Sequence, residues 1–532
     1  MSLQVQALAY AHPNKDVLFQ NITFALSAGE KCAIVGDNGV GKSTLLKIVA
    51  GKLTPSAGSV HCAEAPYMIP QHFGQFDSLS VAEALGMAER LEALSALLEG
   101  RGREEDLEVL NDEWDLRERL EQALANWDIC HIEPSAPMKS LSGGEKTKVF
   151  LAGLDVYKPE LVLMDEPTNH LDSKGRALLN EHIAHSNSTI LIVSHDRALL
   201  NRLSSIYEMR SDGMRYYPMN YAAYKQTTDW EHSARLAQLE NRQKELVKAE
   251  RSARKTMERQ QKHASRGEKL SAKKCVARIA MGNLQNRAEA TASRLDKVQQ
   301  EKLETMRKDL QALRGSMDEQ SAMKLNINSS SMYRNKRLVE MKGVTFNYKG
   351  RKTLWETSPL QLQISSGERI RLEGDNGCGK TTLIKLVCGA LQPSGGEIWR
   401  AENLKVLYLD QEYSCVDDEL TVYGQLEACS ANRSEQELKA LLNRFLFNAS
   451  TWDKKCATLS GGEKMKLALC RLLVGRDAPD MLIADEPTNN IDIASMDILS
   501  ESLKAYKGTL IVVSHDEDFV KNVGISRTIS LP

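Results

Sequence analysis

Short apolar runs punctuate both halves of the chain, and none is long. Lys31-Cys32-Ala33-Ile34-Val35, Leu161-Val162-Leu163-Met164 and Ile190-Leu191-Ile192-Val193 lie in the first half. Arg369-Ile370-Arg371-Leu372-Glu373, Met481-Leu482-Ile483-Ala484 and Leu510-Ile511-Val512-Val513 lie in the second. Runs of this length bounded by turn residues predict buried strands of a parallel sheet. Leu45-Leu46-Lys47-Ile48-Val49 and Leu383-Ile384-Lys385-Leu386-Val387 predict helices that leave the loops after the first run of each half. Residues 224–326 carry a different pattern, without proline and with glycine only at 267, 282 and 315. There Leu236, Leu239 and Leu246, then Leu303, Met306, Leu310 and Leu313, fall at heptad-like spacing. This predicts two long antiparallel helices zipped at the base, with a break at His263-Ala264-Ser265-Arg266-Gly267 and a polar far end. No apolar run approaches the ~18 residues of a membrane span, so a cytoplasmic protein without membrane segments is expected.

The two halves repeat one another. Gly36-Asp37-Asn38-Gly39-Val40-Gly41-Lys42-Ser43-Thr44 recurs as Gly374-Asp375-Asn376-Gly377-Cys378-Gly379-Lys380-Thr381-Thr382, an offset of 338. The glutamines Gln71 and Gln411 recur at 340. Leu141-Ser142-Gly143-Gly144-Glu145-Lys146 recurs as Leu459-Ser460-Gly461-Gly462-Glu463-Lys464 at 318. Asp165-Glu166-Pro167-Thr168-Asn169 and Ser194-His195-Asp196 recur at 320. The expected organisation is an α/β domain at residues 1–222, a helical hairpin at 223–326 and a second α/β domain at 327–532. The first copy carries 22 extra residues after Gln71. Candidate helices at 81–99 and 104–125, broken at Gly100-Arg101-Gly102, are read either as a short projecting hairpin or as a longer helical subdomain.

Each nine-residue motif fits the G-x-x-x-x-G-K-[ST] loop. Its backbone N–H groups converge on phosphates, its lysine reaches the outer phosphates and its hydroxyl serves Mg²⁺. Two triphosphate sites follow. Asp165 and Asp485, at the ends of apolar runs, are the expected Mg²⁺ residues; Glu166 and Glu486 are expected to polarise an attacking water. His195 and His515 follow neighbouring runs and are placed to donate to the γ-phosphate. Ser142-Gly143-Gly144 and Ser460-Gly461-Gly462 open helices and form a second kind of anion site. Cys378, inside the second loop and near Lys380, is in a setting that favours thiolate; either oxidation there blocks site two or the position simply tolerates a small side chain. The ten cysteines include no C-x-x-C pair and no zinc spacing, which argues against a structural metal or disulfide frame.

A net charge of −2 conceals a separation. Residues 241–280 hold 13 Lys/Arg against four Glu, a local +9 that leaves −11 on the rest. Arg251, Arg254, Lys255, Arg259, Lys262, Arg266, Lys269, Lys273, Lys274 and Arg278 are the candidate contacts to an RNA backbone.

On these motifs the chain resembles the ATP-binding cassette superfamily over both repeats. With Asp165 to Asp172 reading Asp-Glu-Pro-Thr-Asn-His-Leu-Asp, and with the basic hairpin, it resembles more narrowly the ABC-F group of twin-cassette ATPases that act on the ribosome. The resemblance implies two P-loop NTPase cassettes of ABC type joined by a helical hairpin, paired within one monomer. It implies ATP and Mg²⁺, the latter held by Ser43, Gln71 and Asp165 and by Thr381, Gln411 and Asp485. Each site would be composite: the first P-loop, Gln71 and His195 facing Ser460-Gly461-Gly462, and the second P-loop, Gln411 and His515 facing Ser142-Gly143-Gly144. The implied partners are ribosomal RNA and exit-site tRNA, and the implied role is translation control or protection against an antibiotic. An adenine-stacking aromatic is expected at Tyr348 in the second copy and at His12 or Tyr10 in the first. A transporter motor and a DNA-acting ATPase are the alternatives.

Overall fold

The computed structural model describes residues 2–12, 17–210, 212–271, 297–298, 300–311, 335–348, 353–375, 377–410, 413–430, 433–445, 447–474, 479–489 and 491–531. It divides into one unit, Met1–Tyr221 with Ala322–Pro532, and another, Ala222–Ser321.

In the first unit each half is built on a mainly parallel sheet. The first half orders its strands Tyr67–Ile69, Leu161–Asp165, Thr189–Val193, Lys31–Val35, Ser205–Arg210 and Gly213–Tyr217, the last pair antiparallel. The second half orders Val406–Leu409, Met481–Asp485, Thr509–Val513, Arg369–Glu373 and Arg527–Ser530. The central strands are buried on both faces, which is why their runs are continuous rather than alternating. A three-stranded antiparallel sheet lies in each half: Val17–Leu26, Leu3–Ala11 and Ala57–Cys62 in one, Leu360–Ser365, Arg337–Thr345 and Gly395–Arg400 in the other.

Register aligns the functional ends. Asp165 pairs with Val193, and Asp485 with Val513. Lys31 pairs with Ile190, and Arg369 with Leu510. Three adjacent parallel strands therefore deliver the P-loop, the Asp-Glu pair and the histidine to one carboxyl edge, where open parallel sheets gather ligands.

The 22 extra residues of the first half are spent on two packed helices, Ala88–Leu98 and Glu104–Leu110, which have no counterpart among the described residues of the second. The following helix, Leu116–Asn126, matches Glu435–Arg444. The two helices expected from sequence are each divided. Gly86, at φ 71°, ends a turn of helix before Ala88, and Asn111 and Asp112, at φ 47° and 59°, stop the second. Asn and Asp tolerate this left-handed region because their short side chains bond locally.

In the second unit a single helix of 51 residues runs Tyr221–Ser271, about 76 Å at 1.5 Å per residue. The break expected at His263–Gly267 is absent, and the helix passes through it. One glycine costs only about 1 kcal/mol in a helix, and its Arg, Glu, Lys and Leu neighbours are strong helix formers. Arg307, in the returning helical residues 300–311, pairs with Glu250 of this helix at 2.8 Å. Arg251, Arg254, Lys255, Arg259 and Lys262 are exposed. Arg266 and Lys269 lie on the same helix; Lys273, Lys274, Arg278 and Leu313 lie outside the described residues.

Candidate functional site

The two loops begin their helices in the same way. Gly41 and Gly379 cap Lys42–Val49 and Lys380–Cys388 at φ 102° and 100°. That left-handed backbone excludes most side chains, and a Cβ would also stand 2.7 Å from Phe19 Cδ1 or from Trp355 Cζ2. The Lys42 ammonium donates to the carbonyls of Gly36 and Asp37 at 2.7 and 3.0 Å. Lys380 donates to those of Gly374 and Asp375 at 2.7 and 3.2 Å. Both lysines thus fold across the mouths of their own loops.

Ser43 and Thr381, one residue into these helices, reach the acidic strand ends. Ser43 Oγ donates to Asp165 Oδ1 at 3.1 Å, and Thr381 Oγ1 to Asp485 Oδ2 at 3.3 Å. A hydroxyl and one carboxylate form an all-oxygen set suited to a hard cation that takes its remaining ligands from phosphate and water, as Mg²⁺ does. No cluster of three or more His, Cys, Asp or Glu suited to a metal occurs among the described residues. Burial pushes both aspartate carboxyls up, a cost that a bound cation would remove.

Glu166 and Glu486 are held in the left-handed region at φ 50° and 48°. Their N–H groups are tied to Val193 and Val513 at 2.8 and 2.9 Å. A non-glycine residue in that region costs on the order of 1–3 kcal/mol and persists only where its surroundings impose it. Here the neighbouring strand imposes it. His195 Nε2 lies 3.4 Å from Glu166 Oε1, and His515 Nε2 lies 3.4 Å from Glu486 Oε1. Glu166 Oε1, His195 Nδ1 and His515 Nε2 are buried without a hydrogen-bond partner among the described residues. Burial, reinforced by Asp165, raises the Glu166 carboxyl, and burial raises Glu486 to about 7. Burial also lowers both imidazoles, His515 to about 4, so the rings are neutral near pH 7.

Ser142 and Ser460 open the helices Gly143–Tyr157 and Gly461–Val474. Each serine exchanges bonds with a glutamate three residues on, its hydroxyl 2.7 Å from Glu145 or Glu463. The halves meet here. A Cβ on Gly462 would stand 3.2 Å from Asn38 Nδ2, so the second half's glycine pair abuts the first P-loop. At the other site Lys174 Nζ donates to Asp375 Oδ2 at 2.9 Å, and Ser173 Oγ lies 3.3 Å from His515 Nδ1.

Tyr348 bonds through its hydroxyl to Thr382 Oγ1 at 3.1 Å, beside the second P-loop helix. Leu3 pairs with Cys62 as Val339 pairs with Arg400. That register sets His12 at the place of Tyr348 and Tyr10 at the place of Phe346. Tyr10 packs on Phe19. Gln71 follows the strand Tyr67–Ile69 into this edge; Gln411 and Asn376 lie outside the described residues. The thiolate expected at Cys378 is not supported, because burial pushes the thiol up and Lys380 only partly opposes it. Sequence reasoning passed over Tyr408, which donates to Asp485 Oδ2 at 2.9 Å, and Trp355, whose Nε1 donates to the Cys378 carbonyl at 3.1 Å.

These sites define a protein of two P-loop nucleotide-binding cassettes facing one another. Residues 19–169 and 357–489 match the family model described as ABC transporter. ABC transporter F family member 5 of Arabidopsis thaliana is 31% identical over 97% of this chain and 72% of its own length. The putative ATP-binding protein YdiF of Bacillus subtilis is 30% identical over 98% and 79%. The probable ATP-binding protein YbiT of Escherichia coli O157:H7 is 30% identical over 95% and 92%. Among solved structures, RNase-L Inhibitor superposes with a TM-score of 0.59 at 18% identity, over 99% of this chain and 87% of that one, a likeness of fold. The chain belongs to the ABC-F family of the ATP-binding cassette proteins. No helix among the described residues is long and apolar enough to cross a membrane.

Proposed function

We propose that the chain is a cytoplasmic ATPase that hydrolyses ATP at two composite sites. It uses their closing and opening to engage the ribosome at the exit-tRNA site through the basic hairpin, and so modulates translation. The observation that carries the enzymatic part is the meeting, in both halves, of a P-loop lysine, a hydroxyl–aspartate pair and a buried glutamate beside a neutral histidine.

Lys42 and Lys380 exchange their loop carbonyls for the β- and γ-phosphates. Mg²⁺, held by Ser43 with Asp165 and by Thr381 with Asp485, supplies charge neutralisation when bound. Gln71 and Gln411 complete that set. Glu166 and Glu486 orient the attacking water and draw its proton, for which a carboxyl lifted toward neutrality is suited. His195 and His515 donate from a ring nitrogen to the γ-phosphate, and Ser460-Gly461-Gly462 and Ser142-Gly143-Gly144 bind it from the facing cassette. Tyr348 supports adenine in site two and His12 in site one. The ribosomal part rests on the local charge of +9 on residues 241–280 and the exposure of Arg251, Arg254, Lys255, Arg259 and Lys262, which suit a phosphate backbone.

The test changes both Glu166 and Glu486 to Gln. The expected outcome is loss of phosphate release together with ATP-dependent, salt-sensitive co-sedimentation with ribosomes and a block of translation in vitro. Absence of ATP turnover in the native chain overturns the enzymatic reading. Sedimentation of the variant free of ribosomes, or with membranes or DNA instead, overturns the ribosomal one.

A further inference from the structure

His195 and His515 lie at the same 3.4 Å from their glutamates but differ at the ring Nδ1. His515 Nδ1 lies 3.3 Å from Ser173 Oγ, the first residue of the helix Ser173–His185 in the opposite cassette. His195 Nδ1 is buried with no hydrogen-bond partner among the described residues. The repeat explains the difference. Asp172 and Asp492 cap their helices in the same way, accepting from Gly175 N–H at 2.8 Å and Ser495 N–H at 2.6 Å. The next residue is Ser173 in one cassette and Ile493 in the other, and isoleucine has no side-chain atom that could satisfy an imidazole nitrogen.

The same helical turn carries polar residues one and three positions further on. Lys174 bonds the second P-loop at Asp375, and Arg176 Nη1 donates to Asp196 Oδ2 at 2.9 Å. Met496, buried, stands at the place of Arg176. The first cassette thus presents Ser173 and Lys174 to site two, whereas the second has Ile493 at the place of Ser173 and Met496 at the place of Arg176.

A neutral imidazole carries one proton, and the bond at one nitrogen decides which nitrogen carries it. When the Ser173 hydroxyl donates to Nδ1, the proton of His515 rests on Nε2, the atom that faces Glu486. Resting on the hydrolysis reading above, we propose that Ser173 is a positioning residue acting across the cassette interface: it holds the ring of His515 in its orientation, making site two the faster hydrolytic site and making its readiness depend on closure. Site one has no such lock. The ring of His195 is held by no such bond at Nδ1 among the described residues, the Asp492 carboxylate being its electrostatic neighbour from the facing cassette, and only part of its population is competent.

The experiment compares ATP turnover of the native chain, Ser173→Ala, Ser173→Thr and the exchange pair Ser173→Ile with Ile493→Ser, each shown to be folded by its thermal transition. Ser173→Ala is expected to lower kcat about tenfold with little change in KM, and Ser173→Thr, which keeps the hydroxyl, to restore it. Glu486→Gln should cost more turnover than Glu166→Gln in the native chain, and the order should reverse in the exchange pair. A Ser173→Ala chain with native kcat, a threonine variant no better than alanine, or an unchanged order in the exchange pair overturns the proposal while leaving ATP hydrolysis standing. Absence of turnover in every chain, the native one included, overturns both.

Discussion

The two cassettes share one framework and differ in what touches it. Strand order, loop backbone and the strained glutamate recur almost to the degree: φ is 102° and 100° at the capping glycines and 50° and 48° at the glutamates. Several neighbouring side chains that touch that framework do not recur. In the second cassette Trp355 braces the P-loop by a hydrogen bond to Cys378, Tyr408 adds a donor to Asp485, and Ser173 reaches His515 from across the interface. In the first, Phe19 packs beneath Gly41, Met68 replaces the tyrosine of that strand, and Ile493 replaces the serine. Duplication preserves what the backbone must do for phosphate and leaves the polar neighbours free to diverge, so one fold holds two sites of different readiness.

The largest effect expected from breaking this comparison is catalytic. Removing the carboxylate of the faster site by Glu486→Gln should reduce its phosphate release by roughly 100- to 1,000-fold, read in a chain whose other site is silenced by Lys42→Ala. Gly41→Ala and Gly379→Ala should each destabilise their cassette by roughly 2–4 kcal/mol in chemical denaturation, since both meet a left-handed backbone and an aromatic ring. Unequal losses would reveal that Trp355 yields less than Phe19. The glutamates offer a test with a pH signature. A carboxyl raised from 4.5 to about 7 destabilises the fold increasingly as pH climbs through that window. Glu486→Gln should therefore stabilise the nucleotide-free protein by about 3 kcal/mol at pH 8 and by almost nothing at pH 4. Trp355→Phe should have the smallest effect, about 1 kcal/mol for the lost bond to the Cys378 carbonyl.

Much of this was legible in the chain because it is local. The nine-residue loops, the apolar runs that end in Asp-Glu and the serine that opens a helix are contiguous, and their backbone follows from residue type. That the P-loop, the Asp-Glu pair and the histidine share one edge follows from the rule that open parallel sheets gather ligands there, whereas the order of the strands is visible only in the structure. What escaped depends on packing. Gly267 reads as a break in a one-dimensional pattern, yet its helix-forming neighbours carry the helix to Ser271. Cys378 reads as an activated thiol beside Lys380, yet burial outweighs the lysine. Ser173 and Ile493 are ordinary first-turn residues until the second cassette is brought against them.

The left-handed backbone at Glu166 and Glu486 carries an evolutionary consequence. Any β-carbon pays a penalty there, and glycine alone escapes it. Selection for thermal robustness by itself would therefore push both positions toward glycine, and a lineage following that gradient would arrive at a sturdier clamp that grips nucleotide and never lets go. Glutamate stands at both places in spite of that cost, as the proposed hydrolytic role of the two carboxylates requires.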